Sequence, residues 1–100
     1  MIRGTTPTHV YTLPIETALL RELKIIYAQA DKILFEKKAA HCEMTEKTAS
    51  VTLTQEETFS FDCKLPVQIQ ARALTVDGVA LASPIMLVSV EKCLDNEVLK

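Results

Sequence analysis

Apolar and polar residues alternate most regularly between positions 67 and 83, where the chain reads VQIQARALTVDGVALAS. Side chains that alternate in this way point to opposite faces of a strand, so one face is predicted to be buried. Asp77-Gly78 interrupts the alternation, and this dipeptide is a strong signal for a tight hairpin turn. We predict a β-hairpin with a two-residue turn, positive φ at both turn residues, and Val76 opposite Val79.

Shorter alternating stretches predict more strands before and after this hairpin. They read THVYTLP (8–14), ASVTLT (49–54), FSFDC (59–63) and IMLVSVEK (85–92). Pro84 precedes the last of them, and because it lacks a backbone N–H it is expected at a bulge or a sheet edge. Within the last strand, Met86, Val88 and Val90 are expected to face the core.

A short helical turn is predicted between two of these strands. Thr54 is followed three residues later by Glu57, which is the form of a capping box. The carboxylates of Glu56 and Glu57 would then lie at the positive end of the helix dipole. We expect a single turn near 54–58 and interpret the acidic pair as helix charges, not as catalytic acids.

The stretch from 15 to 41 has two interpretations. Leu19, Leu23 and Ile26 begin a series of residues at spacings of three and four, which is the stripe of an amphipathic helix. The same residues also alternate with a period of two around the turn sequence ADK, and β-branched and aromatic residues are concentrated there. This second pattern favours a hairpin over 23–37. Periodicity alone leaves the two interpretations equal.

Composition limits the classes of function. One hundred residues with 48% hydrophobic and 24% charged residues are typical of a single domain that spans 1–100. The net charge of −2 argues against a nucleic-acid partner, because phosphate binding needs clustered lysine and arginine. No apolar run reaches the ~20 residues of a membrane span, and the first residues lack the apolar region of a signal peptide. We expect a chain that is made in a cytoplasm and has no membrane partner.

No group of residues in the chain predicts a catalytic, cofactor or metal site. Cys42, Cys63 and Cys93 are too widely spaced for a zinc site and are interpreted as free thiols. His41 precedes Cys42, but neighbouring residues on a strand point to opposite faces and would not form a nucleophile pair. Asp31 and Asp77 each lack the several oxygen ligands that calcium requires. We therefore expect no enzyme activity and no cofactor.

Three segments of the chain resemble a known group of proteins. They are Arg3-Gly4-Thr5-Thr6-Pro7, Leu53-Thr54-Gln55-Glu56-Glu57-Thr58, and Val67–Ser83 with its Asp77-Gly78 turn. In these segments, and in layout over nearly the whole chain, the sequence resembles small proteins encoded by phages and prophages of Firmicutes. The layout is also similar to the N-terminal β-sandwich of siphophage upper baseplate proteins. This resemblance implies strands, not a helix, in the stretch from 15 to 41.

The expected fold is an all-β, immunoglobulin-like sandwich of about seven strands with one helical turn near 54–58. An α+β fold with a helix in 15–40 is the alternative. The resemblance implies a virion structural or assembly protein, such as a tail, baseplate or decoration module. It would be made in the bacterial host cytoplasm, reside in the virion, and bind other virion proteins or itself as a homo-oligomer. The alternative function is a small phage-encoded module that binds a host protein.

Small residues of the hairpin are the candidate interface. With a two-residue turn, four alanines would share one face of the hairpin and let another surface approach closely; they are Ala71, Ala73, Ala80 and Ala82. Arg72 lies among them and is a further candidate contact. A sheet that packs tightly against its own partner sheet is the alternative explanation for the same alanines.

Overall fold

The computed structural model describes residues 1–100 and contains eight β-strands and one short α-helix. The strands are β1 (Thr8–Thr12), β2 (Leu20–Gln29), β3 (Lys32–Lys38), β4 (Glu43–Met44), β5 (Thr48–Thr52), β6 (Val67–Thr75), β7 (Ala80–Ala82) and β8 (Met86–Val88). The helix α1 (Gln55–Phe59) lies between β5 and β6, and single 3₁₀ turns occupy Thr17–Leu19 and Ala39–His41. The prediction of an all-β sandwich is confirmed.

The strands form two antiparallel sheets that pack face to face. The smaller sheet has the order β1-β5-β4. In the larger sheet β2 lies between β3 and β6, and the other side of β6 pairs with β7 near one end and with β8 near the other. The N-terminal residues run beside the C-terminal region, where Ile2 and Glu91 form a parallel bridge.

The core lies between the sheets. Its eight buried residues are at most 7% exposed, and they are Ile25, Tyr27, Val51, Leu53, Phe61, Val67, Ile69 and Val90. Three aromatic rings stack at its centre, with ring centroids 4.9 Å apart between Tyr27 and Phe35 and 5.6 Å apart between Phe35 and Phe61. Such pairs stabilise the core beyond the apolar area that they bury.

The stretch from 15 to 41 forms the β2–β3 hairpin, so the helical alternative for 15–40 is wrong. Period-two alternation decides its structure, because Leu23, Ile25 and Tyr27 share one face and are at most 3% exposed. The turn residues Ala30 and Asp31 both have positive φ, at 49° and 63°. This is the backbone twist that a tight hairpin turn requires.

The β6–β7 hairpin forms as predicted, but its register differs by one residue. Ala73 lies opposite Leu81, and Leu74 lies opposite Ala80. The loop therefore has three residues, and only Gly78 has positive φ, at +84°. This loop closes on Thr75, whose backbone accepts from the N–H of Gly78 at 3.0 Å and donates to the carbonyl of Val79 at 2.9 Å. A glycine in the left-handed region at the end of a three-residue loop is a common hairpin solution.

The capping-box prediction is confirmed. The hydroxyl of Thr54 accepts from the N–H of Glu57 at 3.1 Å, and the Glu57 carboxylate accepts from the N–H of Thr54 at 2.8 Å. The strand predicted at 59–63 is wrong, because α1 continues to Phe59 and a turn follows it. Side-chain bonds hold that turn, since Gln29 binds the backbone of Asp62 and the carbonyl of Leu65.

Pro84 lies at a sheet edge, as predicted. It separates β7 from β8 at the point where the edge beside β6 is interrupted. There the hydroxyl of Ser83 replaces a backbone carbonyl and accepts from the N–H of Ala71 at 3.0 Å. Met86 and Val88 lie opposite the buried Ile69 and Val67 and so face inward, although β8 is shorter than the predicted 85–92. The two-residue β4 was not predicted.

Candidate interaction surfaces

An apolar cleft of about 340 Å³ opens between the two sheets. One wall is β1 with the segment 13–15 that follows it, and the other is the inner face of β2, β6 and β7. The cleft results from the sequence of β6. Along its inward face, the large Val67 and Ile69 are followed by the small Ala71 and Ala73. Small side chains leave the space between the sheets unfilled at this end, whereas aromatic rings fill the centre of the core.

Beneath the cleft, three side chains connect β1 to β2. The hydroxyl of Tyr27 shares a hydrogen bond of 2.8 Å with Nδ1 of His9 and one of 3.0 Å with the hydroxyl of Tyr11. Burial raises the pKa of both tyrosines and lowers the pKa of His9. All three groups are therefore neutral near pH 7. Because a buried hydroxyl must be hydrogen-bonded, this network holds β1 in place at the rim of the cleft.

A short ion pair lies between β3 and α1. Nζ of Lys37 is 2.6 Å from the carboxylate of Glu57 and 5.9 Å from the ring centre of Phe35. Burial disfavours the charged form of Glu57, but the hydrogen bonds from Lys37 and Thr54 prevail and hold its pKa below the usual range. Glu57 therefore acts as a charge that stabilises the start of the helix, as the sequence predicted.

The side chains of His41 and Cys42 are each hydrogen-bonded to the backbone of Lys38, and no hydrogen bond joins them to each other. Nδ1 of His41 accepts from the N–H of Lys38 at 3.2 Å, and the Cys42 thiol donates to the Lys38 carbonyl at 3.4 Å. Burial raises the pKa of Cys42, which keeps it a thiol and lowers its reactivity. Cys63 is exposed and Cys93 is partly exposed, and the three cysteines form no disulfide.

The outer face of the larger sheet divides into two halves. One half contains Ile33 and Ile85, which are more than half exposed, and Leu87, which is 66% exposed, next to the polar Gln68 and Gln70. An antiparallel sheet usually presents polar residues to water, so this half is atypical. The other half carries a row of three cations across neighbouring strands, Lys38, Lys24 and Arg72.

The five residues of the predicted interface do not share one face. Ala71 and Ala73 point inward and form part of the cleft. Ala80 and Ala82 lie opposite Leu74 and Arg72 and are exposed on the outer face, although Ala82 also borders the cleft. The one-residue difference in register is the reason, because it exchanges the faces of every residue on β7. The predicted clustering is therefore wrong, and a role for these residues in an interface stays a prediction.

The N-terminal segment, residues 3–7, and the segment 53–58 that contains most of α1 meet in the fold. The backbone of Gly4 and Thr5 binds the buried hydroxyl of Thr58. The guanidinium of Arg3 lies 5.6 Å from the ring centre of Phe59 and donates to its carbonyl at 2.8 Å. The N-terminal segment and α1 thus form one packed unit.

Comparisons of the chain with models of protein families, with curated proteins and with solved structures found no match. Among its side chains, no three of His, Cys, Asp or Glu are grouped so that they could hold a metal ion. None of its helices has the length and apolar character needed to span a bilayer.

Proposed function

We propose that the protein is a structural or assembly component of a phage or prophage particle, which acts by binding other virion proteins or further copies of itself. The observation that carries this proposal is the apolar cleft, which opens to solvent next to the unpaired edge of β1. Unpaired strand edges and apolar clefts are features by which proteins associate. A tail, baseplate or decoration module would use both.

Exposed apolar side chains elsewhere on the surface support the same proposal. They occur on the outer face of the larger sheet, at the tip of the β6–β7 hairpin, and in the C-terminal segment, where Leu94 is 95% exposed. Exposed apolar side chains that lie close together commonly mark contacts with other proteins. In an assembled particle, neighbouring subunits would cover these surfaces and remove them from water.

The resemblance to phage proteins is the second support. Two of its three specific segments lie in the unit formed by the N-terminal segment and α1, at the end of the sandwich where Leu53 donates to the carbonyl of Pro7 at 3.0 Å, and the third is the β6–β7 hairpin. These residues stabilise the fold and place β1 directly after Pro7. The resemblance therefore concerns the scaffold that presents β1.

Mass spectrometry of purified particles tests the proposal. Phage carrying this gene is grown, purified on a density gradient, and separated into heads and tails before digestion. We expect peptides of the chain in one fraction, at a copy number comparable with known structural proteins. An early, non-structural phage protein measured in the same preparation is the control for contamination.

Absence of the chain from particles, together with its presence in the cytosol of infected cells, would overturn the proposal. That result would favour the alternative of a module that binds a host protein. A second strain with a stop codon early in the reading frame separates the two outcomes further. The proposal expects defective particles, whereas a host-directed module leaves particle structure intact.

A further inference from the structure

We infer that β1 is the site at which two copies of the chain associate, through antiparallel pairing of their β1 strands about a two-fold axis at Val10. The inference deepens the proposed function, on which it rests for its biological purpose, because it names one partner as a second copy. The paired strands would join the two smaller sheets into one continuous sheet.

The first argument is a comparison of the sheet edges. Proteins protect exposed edges with charged residues, proline, interruptions or very short strands. The β3 edge carries four charged residues, Lys32, Glu36, Lys37 and Lys38. The β7–β8 edge is interrupted at Pro84, and β4 has only two residues, one of them Glu43. The β1 edge has none of these protections, since it runs unbroken through five residues without lysine, arginine, acid or proline.

The second argument is the direction of the backbone groups of β1. At its two ends, the carbonyl of Pro7 accepts from Leu53 and the N–H of Leu13 donates to Lys47. Antiparallel pairs alternate between those that exchange hydrogen bonds and those that do not. The backbone groups of Thr8, Val10 and Thr12 therefore point away from β5, toward the open side.

The third argument is the symmetry of the sequence of β1. Thr8-His9-Val10-Tyr11-Thr12 has the same type of residue at equal distances on each side of Val10. Antiparallel pairing about Val10 places threonine opposite threonine, valine opposite valine, and the His9 ring opposite the Tyr11 ring of the second copy. Cross-strand pairs of threonines, of β-branched residues and of aromatic rings each stabilise a sheet.

This register also satisfies the free backbone groups. Val10 exchanges both hydrogen bonds with Val10 of the second copy, and Thr8 does the same with Thr12 of the second copy. Every outward backbone N–H and carbonyl of the strand thus gains a partner. The one ionisable residue of β1 with a pKa near neutrality is His9, and it is uncharged near pH 7. The two copies therefore meet without repulsion between like charges.

The size of the contact sets its strength. A strand of five residues is roughly 17 Å long, and a stable interface buries about 800 Å² on each partner. Strand pairing alone falls short of this area, so side chains of the adjoining cleft, such as Leu13 and Ile15, must contribute. We therefore expect a weak dimer that forms as the protein concentration rises. In a particle, many simultaneous contacts would strengthen this association.

Sedimentation equilibrium over a concentration series tests the inference. As the concentration rises, the measured mass of the natural protein is expected to increase from that of one chain to that of two. Val10→Lys is expected to weaken this association at least tenfold. Leu65→Lys is the control, because Leu65 is also an exposed apolar residue, at 39% against 62% for Val10, but lies in the turn between α1 and β6 and outside every surface assigned to association. Circular dichroism checks that each variant is folded.

Val10→Pro is a second variant, which introduces no charge and acts through the backbone. It removes the outward N–H of Val10, which makes no bond to β5, so an edge strand can accommodate it. It too is expected to remain monomeric. In the natural chain, amide exchange provides a measurement that needs no variant. The N–H groups of Thr8, Val10 and Thr12 are expected to become protected at high concentration, whereas those of Leu13 and Leu53 are protected at all concentrations.

A strictly monomeric natural chain would overturn the inference, and so would a dimer whose β1 amides stay unprotected or whose mass is unchanged by Val10→Lys. These results are independent of the particle experiment. A chain that is present in virions but monomeric would leave the proposed function standing and remove the inference. A β1-paired dimer that is absent from particles would do the reverse.

Discussion

The backbone N–H of Gly4 donates a hydrogen bond of 2.9 Å to the hydroxyl of Thr58, which lies fifty-four residues further along the chain. The same hydroxyl donates to the carbonyl of Thr5 at 2.9 Å and is completely buried. One side chain thus connects the N-terminal segment to α1. Because β1 begins three residues after Thr5, this connection helps to determine where the open sheet edge lies.

Gly4→Ala is expected to destabilise the protein by about 3 kcal/mol, through positive φ and a steric clash. The φ of Gly4 is +79°, and an added Cβ would lie 2.5 Å from the ring of Phe59. Gly78→Ala is the matched control, since its φ is +84° but nothing lies within 4 Å of its added Cβ. It is expected to cost only about 1 kcal/mol. Urea denaturation measures both, and equal losses would contradict the steric argument.

Thr58→Val should destabilise the fold by about 2 kcal/mol, because it leaves the partly buried N–H of Gly4 without its acceptor. Valine has nearly the same shape as threonine, so the loss reports on hydrogen bonds and not on packing. Thr52→Val, at an exposed position on β5, is expected to change stability by less than about 0.5 kcal/mol. If the two variants unfold at the same urea concentration, the connection between Gly4 and α1 has no energetic role.

Stability is expected to fall as the pH is lowered through about 6.5, the ordinary pKa of histidine. Burial beside Tyr27 lowers the pKa of His9 in the folded chain, so the unfolded chain binds a proton first and is favoured by acid. His9→Gln should remove this dependence between pH 7.5 and 5, whereas the control His41→Gln should keep it. Thermal unfolding at several pH values gives the comparison. If the stability of the His9→Gln variant still depends steeply on pH in this range, groups other than His9 cause the dependence.

The ion pair of Lys37 and Glu57 predicts a second pH dependence at lower pH. The folded pKa of Glu57 lies below its ordinary value of about 4.3, so its contribution is complete above that pH. The contribution is lost as pH falls through the folded pKa. Lys37→Met should cost about 1 kcal/mol at pH 7 and flatten the acid limb of the stability curve. Lys24→Met removes the more exposed pair with Glu36 and is expected to leave that limb unchanged.

Local patterns were enough to predict several elements correctly. Alternation identified β1, β5 and β6, because strand side chains point to opposite faces whatever their neighbours are. The capping box of Thr54 and Glu57 was predicted because both of its hydrogen bonds are local. The edge position of Pro84 followed from its missing N–H.

Where a residue pattern fits two secondary structures equally well, the local sequence could not distinguish between them. The stretch from 15 to 41 fits a helix or a hairpin, and it forms a hairpin because β6 offers a long partner to β2, from Leu20 to Ala28. The strand predicted at 59–63 is wrong because the capped helix extends to Phe59. Gln29 then holds the following turn from another part of the chain.

The amino-acid sequence by itself determined that β1, β5 and the β6–β7 hairpin are strands and that a capped helical turn follows β5, since alternation, turn residues and capping act over short distances. Only the tertiary structure decided which edge is open, where the cleft lies, and which faces the alanines occupy. A one-residue change of register at Thr75 moves Ala80 and Ala82 to the outer face, and no short-range pattern distinguishes the two registers. The exposed edge of β1 depends on which strands pair, and strand pairing depends on contacts between residues that are distant in the chain.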